Sequence, residues 1–215
     1  MNLNKFIIPK NKFLNKDTIG YYNQIYKNFN PDKPHFLNIL KNTFREKKFY
    51  ELEKARDMVV TILMDDIPKI IQERNISNYI LVCVPRAKSL KSYSNYQLMF
   101  KKAIKIAANN LGVVDGTDYI QRVKNTRTTH IKKDSSFVND GDSPYPGITI
   151  DTCEIESSKI INKNFILIDD IYTKTVNVDE DCIQALLDKG ANEVIFYSIG
   201  YTSTRSQKWN IQTLH

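Results

Sequence analysis

The stretch FILIDDIYTKTVNVDED, residues 165–181, decides how this chain folds. It opens with an uninterrupted apolar run rich in Ile and Phe, the pattern of a strand buried on both faces. Two adjacent carboxylates, Asp169 and Asp170, close that strand. Two ionised acids at a strand end cost free energy unless something cationic or hydroxylated faces them, and a sugar diol or a metal ion would do so. The turn Thr173-Lys174-Thr175-Val176-Asn177 then offers backbone N–H groups, two hydroxyls, an amide and an ammonium ahead of a helix. Groups of that kind at a helix N-terminus cradle phosphate. Acids for a ribose beside a turn for a phosphate point to a phosphoribose ligand.

Reading outward, Ile183, Leu186 and Leu187 share one helical face, Gly190 ends that helix, and EVIFYSIG at 193–200 is a further buried strand. Upstream, YILVCVP at 79–85 reads as another strand of the same kind. A helix follows it, because Tyr96, Met99, Phe100, Ala103, Ala107 and Leu111 share a face; Ser94 or Asn95 caps its start and Gly112 its end. Tyr119 to Val123 is expected as a second strand, and 124–147 as a long loop carrying Ser, Asp, Asn, Gly and two prolines, Pro144 and Pro146. A loop of that length in a compact domain is a candidate lid. Before Asn78 the spacing of Leu37, Leu40 and Phe44, and the apolar stretch from Phe49 to Ile67, predict helices, with Pro68 kinking or restarting the last. Tyr21, Tyr22, Tyr26 and Phe29 are expected on the inner face of this helical part. Alternating strands and helices imply an α/β fold with a parallel sheet over 79–215, preceded by a helical N-terminal subdomain, 1–78, acting as a hood or an oligomer contact. Ligands of such sheets bind beyond the carboxyl ends of the strands. No internal repeat is present.

Composition narrows the class. With 215 residues, 41% hydrophobic and 26% charged, and only 7 Gly and 7 Pro, the chain can bury a sizeable core and is neither fibrous nor low-complexity. Cys83, Cys153 and Cys182 are too far apart for a CxxC metal pair and too few for an even disulfide framework, which fits a reducing, cytoplasmic setting. The net charge of +7 favours a polyanionic partner, a phosphorylated metabolite or nucleic acid, yet it also suits an ordinary surface rich in lysine. No apolar run approaches the roughly 18 residues of a membrane span, and MNLNKFIIPKNKF is too short in apolar residues for a signal peptide, so no membrane role is expected.

The strand, acid pair and turn of 165–177 resemble the signature of type I phosphoribosyltransferases: an apolar strand, two acids, two variable residues and a short Thr/Gly-rich loop. ALLDKGANEVIFYSIG at 185–200 looks like that family's following helix, Gly-Ala turn and strand. YILVCVPRAKS at 79–89 is similar to its first core strand and pyrophosphate loop, most closely in the ComF-like and amidophosphoribosyltransferase-like branches. The first 78 residues match no motif. The resemblance implies that Asp169 and Asp170 hold the ribose 2′- and 3′-hydroxyls of phosphoribosyl pyrophosphate. It further implies that Thr173, Lys174, Thr175, Val176 and Asn177 wrap the 5′-phosphate, and that Arg86, Ala87 and Lys88 form the pyrophosphate loop, with Arg86 and Lys88 facing that group. Mg²⁺ would come bound through the ligand, with no direct protein ligand required, Asp169 or Asp170 being the only side chains within question. A nitrogen nucleophile would displace pyrophosphate at the anomeric carbon through an oxocarbenium-like transition state, with 124–147 as lid. The family usually has Gly at the position of Thr175, where a positive φ brings backbone close to phosphate, and Thr or Ser at that of Asn177. Lys174 is expected to compensate by charge, and Asp179, Glu180 and Asp181 to favour the helix dipole while pointing outward.

Other readings stay open. The loop variations also suit a non-catalytic module that binds a phosphoribosyl ligand or nucleotide, or a nucleic-acid-associated ComF-like protein whose basic run Arg122, Lys124, Arg127, Lys132 and Lys133 does more than face solvent. A homodimer is an expected assembly in either case. A P-loop NTPase is set aside because no GxxxxGK[ST] occurs, and a haloacid-dehalogenase-type phosphatase because Ile171 stands where its second acid belongs. His35, His130 and His215 are read as isolated surface residues, and Cys83 as core.

Overall fold

A computed structural model describes residues 3–26, 35–42, 45–75, 77–128, 141 and 148–202. The stretch 165–181 forms strand β7 (Asn164–Tyr172), the turn after it, and the start of helix α5 (Val178–Asp188); strand β8 (Glu193–Tyr201) follows. The earlier strand is β3 (Tyr79–Cys83), all of it buried. Its helix, α3, covers Met99–Leu111. The 3-10 turn Asn95–Leu98 precedes α3, capped by Ser94, and Gly112 closes the helix at φ 66°, the left-handed conformation glycine adopts without strain. Strand β4 (Val114–Asp115) then lies at the sheet edge.

The central sheet runs β1-β2-β8-β7-β3-β4 and is parallel throughout except for the outermost pair. Here the expectation of an all-helical segment up to residue 78 is corrected. That segment opens with a hairpin of β1 (Asn4–Ile8) and β2 (Thr18–Ile25), and β2 pairs in parallel with β8. Tyr21 and Tyr22 therefore alternate to opposite faces of a strand, Tyr21 towards one core and Tyr22 towards the other, instead of lining one helical face. The helical expectation holds for α1 (Phe36–Lys41) and α2 (Phe49–Arg74). Helix α2 neither restarts nor ends at Pro68; the proline sits on the exposed side while Leu63, Ile67 and Ile70 keep a buried stripe through it. Phe29 and Phe44 lie outside the described residues.

Period-two alternation along the strands divides the interior into two layers. Tyr79, Leu81, Ile166, Ile168, Ile195 and Tyr197 face α1, α2 and α3, whereas Ile80, Val82, Phe165, Leu167, Val194 and Phe196 face α5. The α2 side is also fixed by polar pairs: Asp66, buried, accepts from Tyr197 at 2.7 Å and Asn23 at 3.0 Å, and Glu193 accepts from Arg74 and Tyr79, both at 2.7 Å. The strand expected over Tyr119–Val123 is β5 (Ile120–Arg122). It does not join the main sheet but pairs antiparallel with β6 (Cys153–Ile155), which the short helix α4 (Ile148–Thr152) precedes.

The connections from β3 leave in two directions. The chain passes through α3 to β4 on one side, and β7, on the other side of β3, passes through α5 to β8, with α3 and α5 on opposite faces. The strand order thus reverses between β3 and β7, opening a crevice at their carboxyl ends, where α/β sheets bind ligands.

Candidate functional site

A cavity of about 1070 Å³ opens at that crevice. It is lined by Pro85 to Lys88, after β3, and by Asp169, Asp170, Thr173, Val176 and Asp179, from the end of β7 and the turn into α5; Lys41 and Arg45 contribute from the N-terminal part, and Gln121, Arg122 and Thr126 from the β5 region. The structure thus brings the acid pair, the beginning of the turn and the 86–88 loop to one space. Lys174, Thr175 and Asn177 are not among its lining residues, and Lys174 and Thr175 are exposed. The left-handed residue of the turn is Asn177, at φ 54°, not Thr175. Asn tolerates that conformation better than other non-glycine residues, so the turn closes without a glycine. Asn177 is held from outside by Asn11, whose Nδ2 donates to Asn177 Oδ1 at 3.1 Å.

The 86–88 loop is tied down by its neighbours. The Arg86 guanidinium donates to the carbonyls of Gln97 and, at 2.6 Å, Lys41, and lies 4.6 Å from the centre of the Tyr93 ring. The N–H groups of Lys88 and Ser89 donate to Tyr93 Oη and Asn125 Oδ1, both at 2.9 Å. The carbonyl of Ala87 accepts from Thr126 N and Oγ1 at 2.7 and 2.9 Å. Gln97, also buried, donates to the Asn42 carbonyl and accepts from Arg45 Nε at 3.2 Å. Arg86 therefore fastens α1 to the segment before α3, a role its position in the sequence gave no sign of. Arg122 likewise is no solvated residue: it is buried, and donates to the Arg86 carbonyl at 2.8 Å and to Thr152 Oγ1. Lys124 and Arg127 are exposed, while Lys132 and Lys133, His130 and His215, and the lid expected over 124–147 beyond residue 128 lie outside the described residues, Gly141 aside.

The acids at the start of α5 turn inward, correcting the expectation that they point to solvent. Asp181 accepts from Thr149 N and Oγ1 at 2.8 and 2.7 Å, capping α4, and Glu180 accepts from Tyr172 Oη at 2.8 Å. Alternation along β7 places Asp169 on the α5 face, the side from which Asp179, 5% exposed, also lines the cavity. Burial, and then the charge of Asp170, push the Asp169 carboxyl up to about 7. Burial and then the charge of Asp169 raise Asp179 as well. Sequence reasoning took Asp179 to point outward, and nothing in its own stretch of chain marked it as turning towards the cavity. His35 is not an isolated surface residue either: its Nδ1 accepts from Leu37 N at 3.3 Å at the start of α1, and burial lowers its basicity.

Cys83 is core, as expected, and burial raises its thiol far above its usual range. Among the described residues no three His, Cys, Asp or Glu side chains are grouped to hold a metal ion. No described helix is long and apolar enough to cross a membrane. Compared with known proteins, the chain matches no family model and no curated protein.

Proposed function

We propose that this crevice binds a phosphoribosyl ligand, phosphoribosyl pyrophosphate or a nucleotide, and that the protein is a phosphoribosyltransferase-like enzyme moving phosphoribose to or from a nitrogen nucleophile with release of pyrophosphate. The observation that carries the reading is the coincidence, at the strand-order reversal between β3 and β7, of Asp169, Asp170 and Thr173 with the 86–88 loop around one cavity. Carboxylates there accept from ribose hydroxyls, and cations lining the same cavity attract phosphates. As the glycosidic bond breaks, positive charge grows on the sugar and negative charge on the leaving group; Asp169, Asp170, Lys41 and Lys88, all lining the cavity, can complement that separation through charge already in place. Any divalent cation would arrive on the ligand's phosphate oxygens. The 5′-phosphate would rest on Thr173 and Val176, a smaller contact than the full turn from Thr173 to Asn177.

A second reading, binding without transfer, is favoured by the ties on Arg86, Lys88 and Ser89, whose donors already serve protein acceptors. Calorimetric titration of phosphoribosyl pyrophosphate with Mg²⁺ tests both. Saturable binding lost in Asp169→Asn/Asp170→Asn supports the site, and pyrophosphate release in an acceptor screen separates transfer from binding. Absence of binding to the folded wild type overturns the phosphoribosyl reading.

A further inference from the structure

The N-terminal part resembles no motif, yet it reaches the crevice through α1. Gly200 of β8 lets it lie close over the carboxyl end of the sheet: a Cβ at residue 200 would be 3.0 Å from Tyr26 Cβ, 3.3 Å from Ile171 Cγ1 and 3.4 Å from Leu37 Cδ1. Ile171 directly follows the acid pair, so this packing holds α1 beside it. The Tyr26 hydroxyl donates to Asn38 Oδ1 at 2.6 Å, and the Arg86 guanidinium to the Lys41 carbonyl at 2.6 Å. Gln97 Nε2 donates to the Asn42 carbonyl at 3.3 Å. These carbonyls at the end of α1 are thus met by donors of the protein, which lessens the repulsion a bare helix end would offer an anion.

Lys41, the last residue of α1, is half-buried and lines the cavity. Among the described residues its ammonium has neither an ion pair nor a hydrogen bond. Arg45, Arg86, Lys101, Arg122 and Arg127, which share the lining, each donate to a protein acceptor. A half-buried ammonium without a counter-ion is open to an anionic group of a ligand, which it meets as a compact point charge with N–H donors. We infer that Lys41 is a ligand-binding residue of this site, taking the pyrophosphate group, and that Arg86 is its positioning residue. The cation that the resemblance would place on the 86–88 loop comes instead from α1, and Arg86 acts by fixing the main chain from which Lys41 projects. The inference rests on the phosphoribosyl reading for the identity of the ligand.

Calorimetric titration of the full chain with inorganic pyrophosphate and with phosphoribosyl pyrophosphate, each with Mg²⁺, tests it in two variants. Lys41→Met keeps the reach of the side chain without its charge, and Lys41→Arg keeps the charge. Lys41→Met should melt with the wild type, weaken both ligands by about tenfold or more, and flatten the salt dependence of binding; Lys41→Arg should recover most of the loss. Arg86→Ala, measured where it is folded, should also weaken pyrophosphate, and adding Lys41→Met should then cost little more, because the ammonium is already misplaced. Additive losses would overturn the positioning role of Arg86. Wild-type affinities for both ligands in Lys41→Met overturn the inference and leave the phosphoribosyl reading standing. If phosphoribosyl pyrophosphate binds no more tightly than pyrophosphate and is indifferent to Asp169→Asn/Asp170→Asn, while both ligands are lost in Lys41→Met, the role of Lys41 stands and the phosphoribosyl reading falls. Folded wild type that binds neither ligand overturns both.

Discussion

Replacing Arg86 distinguishes a structural fastener from a ligand contact. Its guanidinium donates to the carbonyls of Gln97 and Lys41 and covers the Tyr93 ring. Hydrogen bonds from a charged donor contribute about 1.5–3 kcal/mol each, and a cation–ring contact about 0.5–1 kcal/mol at a partly exposed site. The guanidinium borders an open cavity, so water takes over part of what is lost and the lower ends apply: Arg86→Ala should cost about 3 kcal/mol. For a chain of this size that lowers Tm by about 6–12 °C. Arg86→Lys should recover little of it, because one ammonium cannot span two carbonyls and stack on a ring. Urea denaturation followed by far-UV circular dichroism gives the free energies, and calorimetry with phosphoribosyl pyrophosphate gives the binding. The reasoning is refuted if Arg86→Ala leaves stability within about 0.5 kcal/mol of wild type; ligand affinity lost in that same variant would then make Arg86 a ligand residue.

Tyr197→Phe leaves buried Asp66 without the hydroxyl at 2.7 Å and should destabilise the protein by about 1–3 kcal/mol, read from the same denaturation curves, with no effect on ligand binding. Gly116→Val should be more damaging than a surface change, since even a Cβ at residue 116 would lie 2.5 Å from Ile80 Cγ2 and 2.9 Å from Val82 Cγ1; a Tm equal to wild type would contradict that packing. Stability as a function of pH should respond to Asp169→Asn. A carboxyl raised on folding binds more protons in the native than in the unfolded state, so its contribution is intact in acid and declines as pH rises from the ordinary Asp range through about 7. The variant should therefore gain stability relative to wild type across that window, and parallel curves would argue against a raised Asp169 carboxyl. Cys83, Cys153 and Cys182, buried with thiols raised by burial, should react with a thiol reagent only after denaturation; rapid labelling of the native protein would place one of them at the surface.

Strands β3, β7 and β8 and helices α3 and α5 were legible because each carries its own signal within a short window: an unbroken apolar run, a face repeating at helical spacing, a cap at Ser94 or a left-handed glycine at 112. The acid pair was legible for the same reason, since Asp169 and Asp170 stand where an apolar strand meets a polar turn. The hairpin of β1 and β2 was not. Tyr21, Tyr22 and Tyr26 permit more than one periodicity, and what makes this segment a strand is its pairing with β8, register partner Tyr21 to Tyr197, contributed by residues far away in the chain. Charge misled in a related way. Arg122 and Asp179 read as solvated groups because charged side chains usually are, and Arg86 as a contact for pyrophosphate; the folded chain buries the first two and gives the Arg86 guanidinium the carbonyls of Gln97 and Lys41.

The sequence by itself determined an α/β core with parallel strands and a polar turn after an acid-ended strand, because hydrophobic period and turn chemistry are local properties. Tertiary structure alone decided that β3 and β7 are neighbours with the strand order reversing between them, and that Asp179 is buried at the same cavity that Asp169 lines. Such contacts join residues through space, where burial changes what a carboxyl or a guanidinium does, and no window of sequence contains both the group and the surroundings that set its charge.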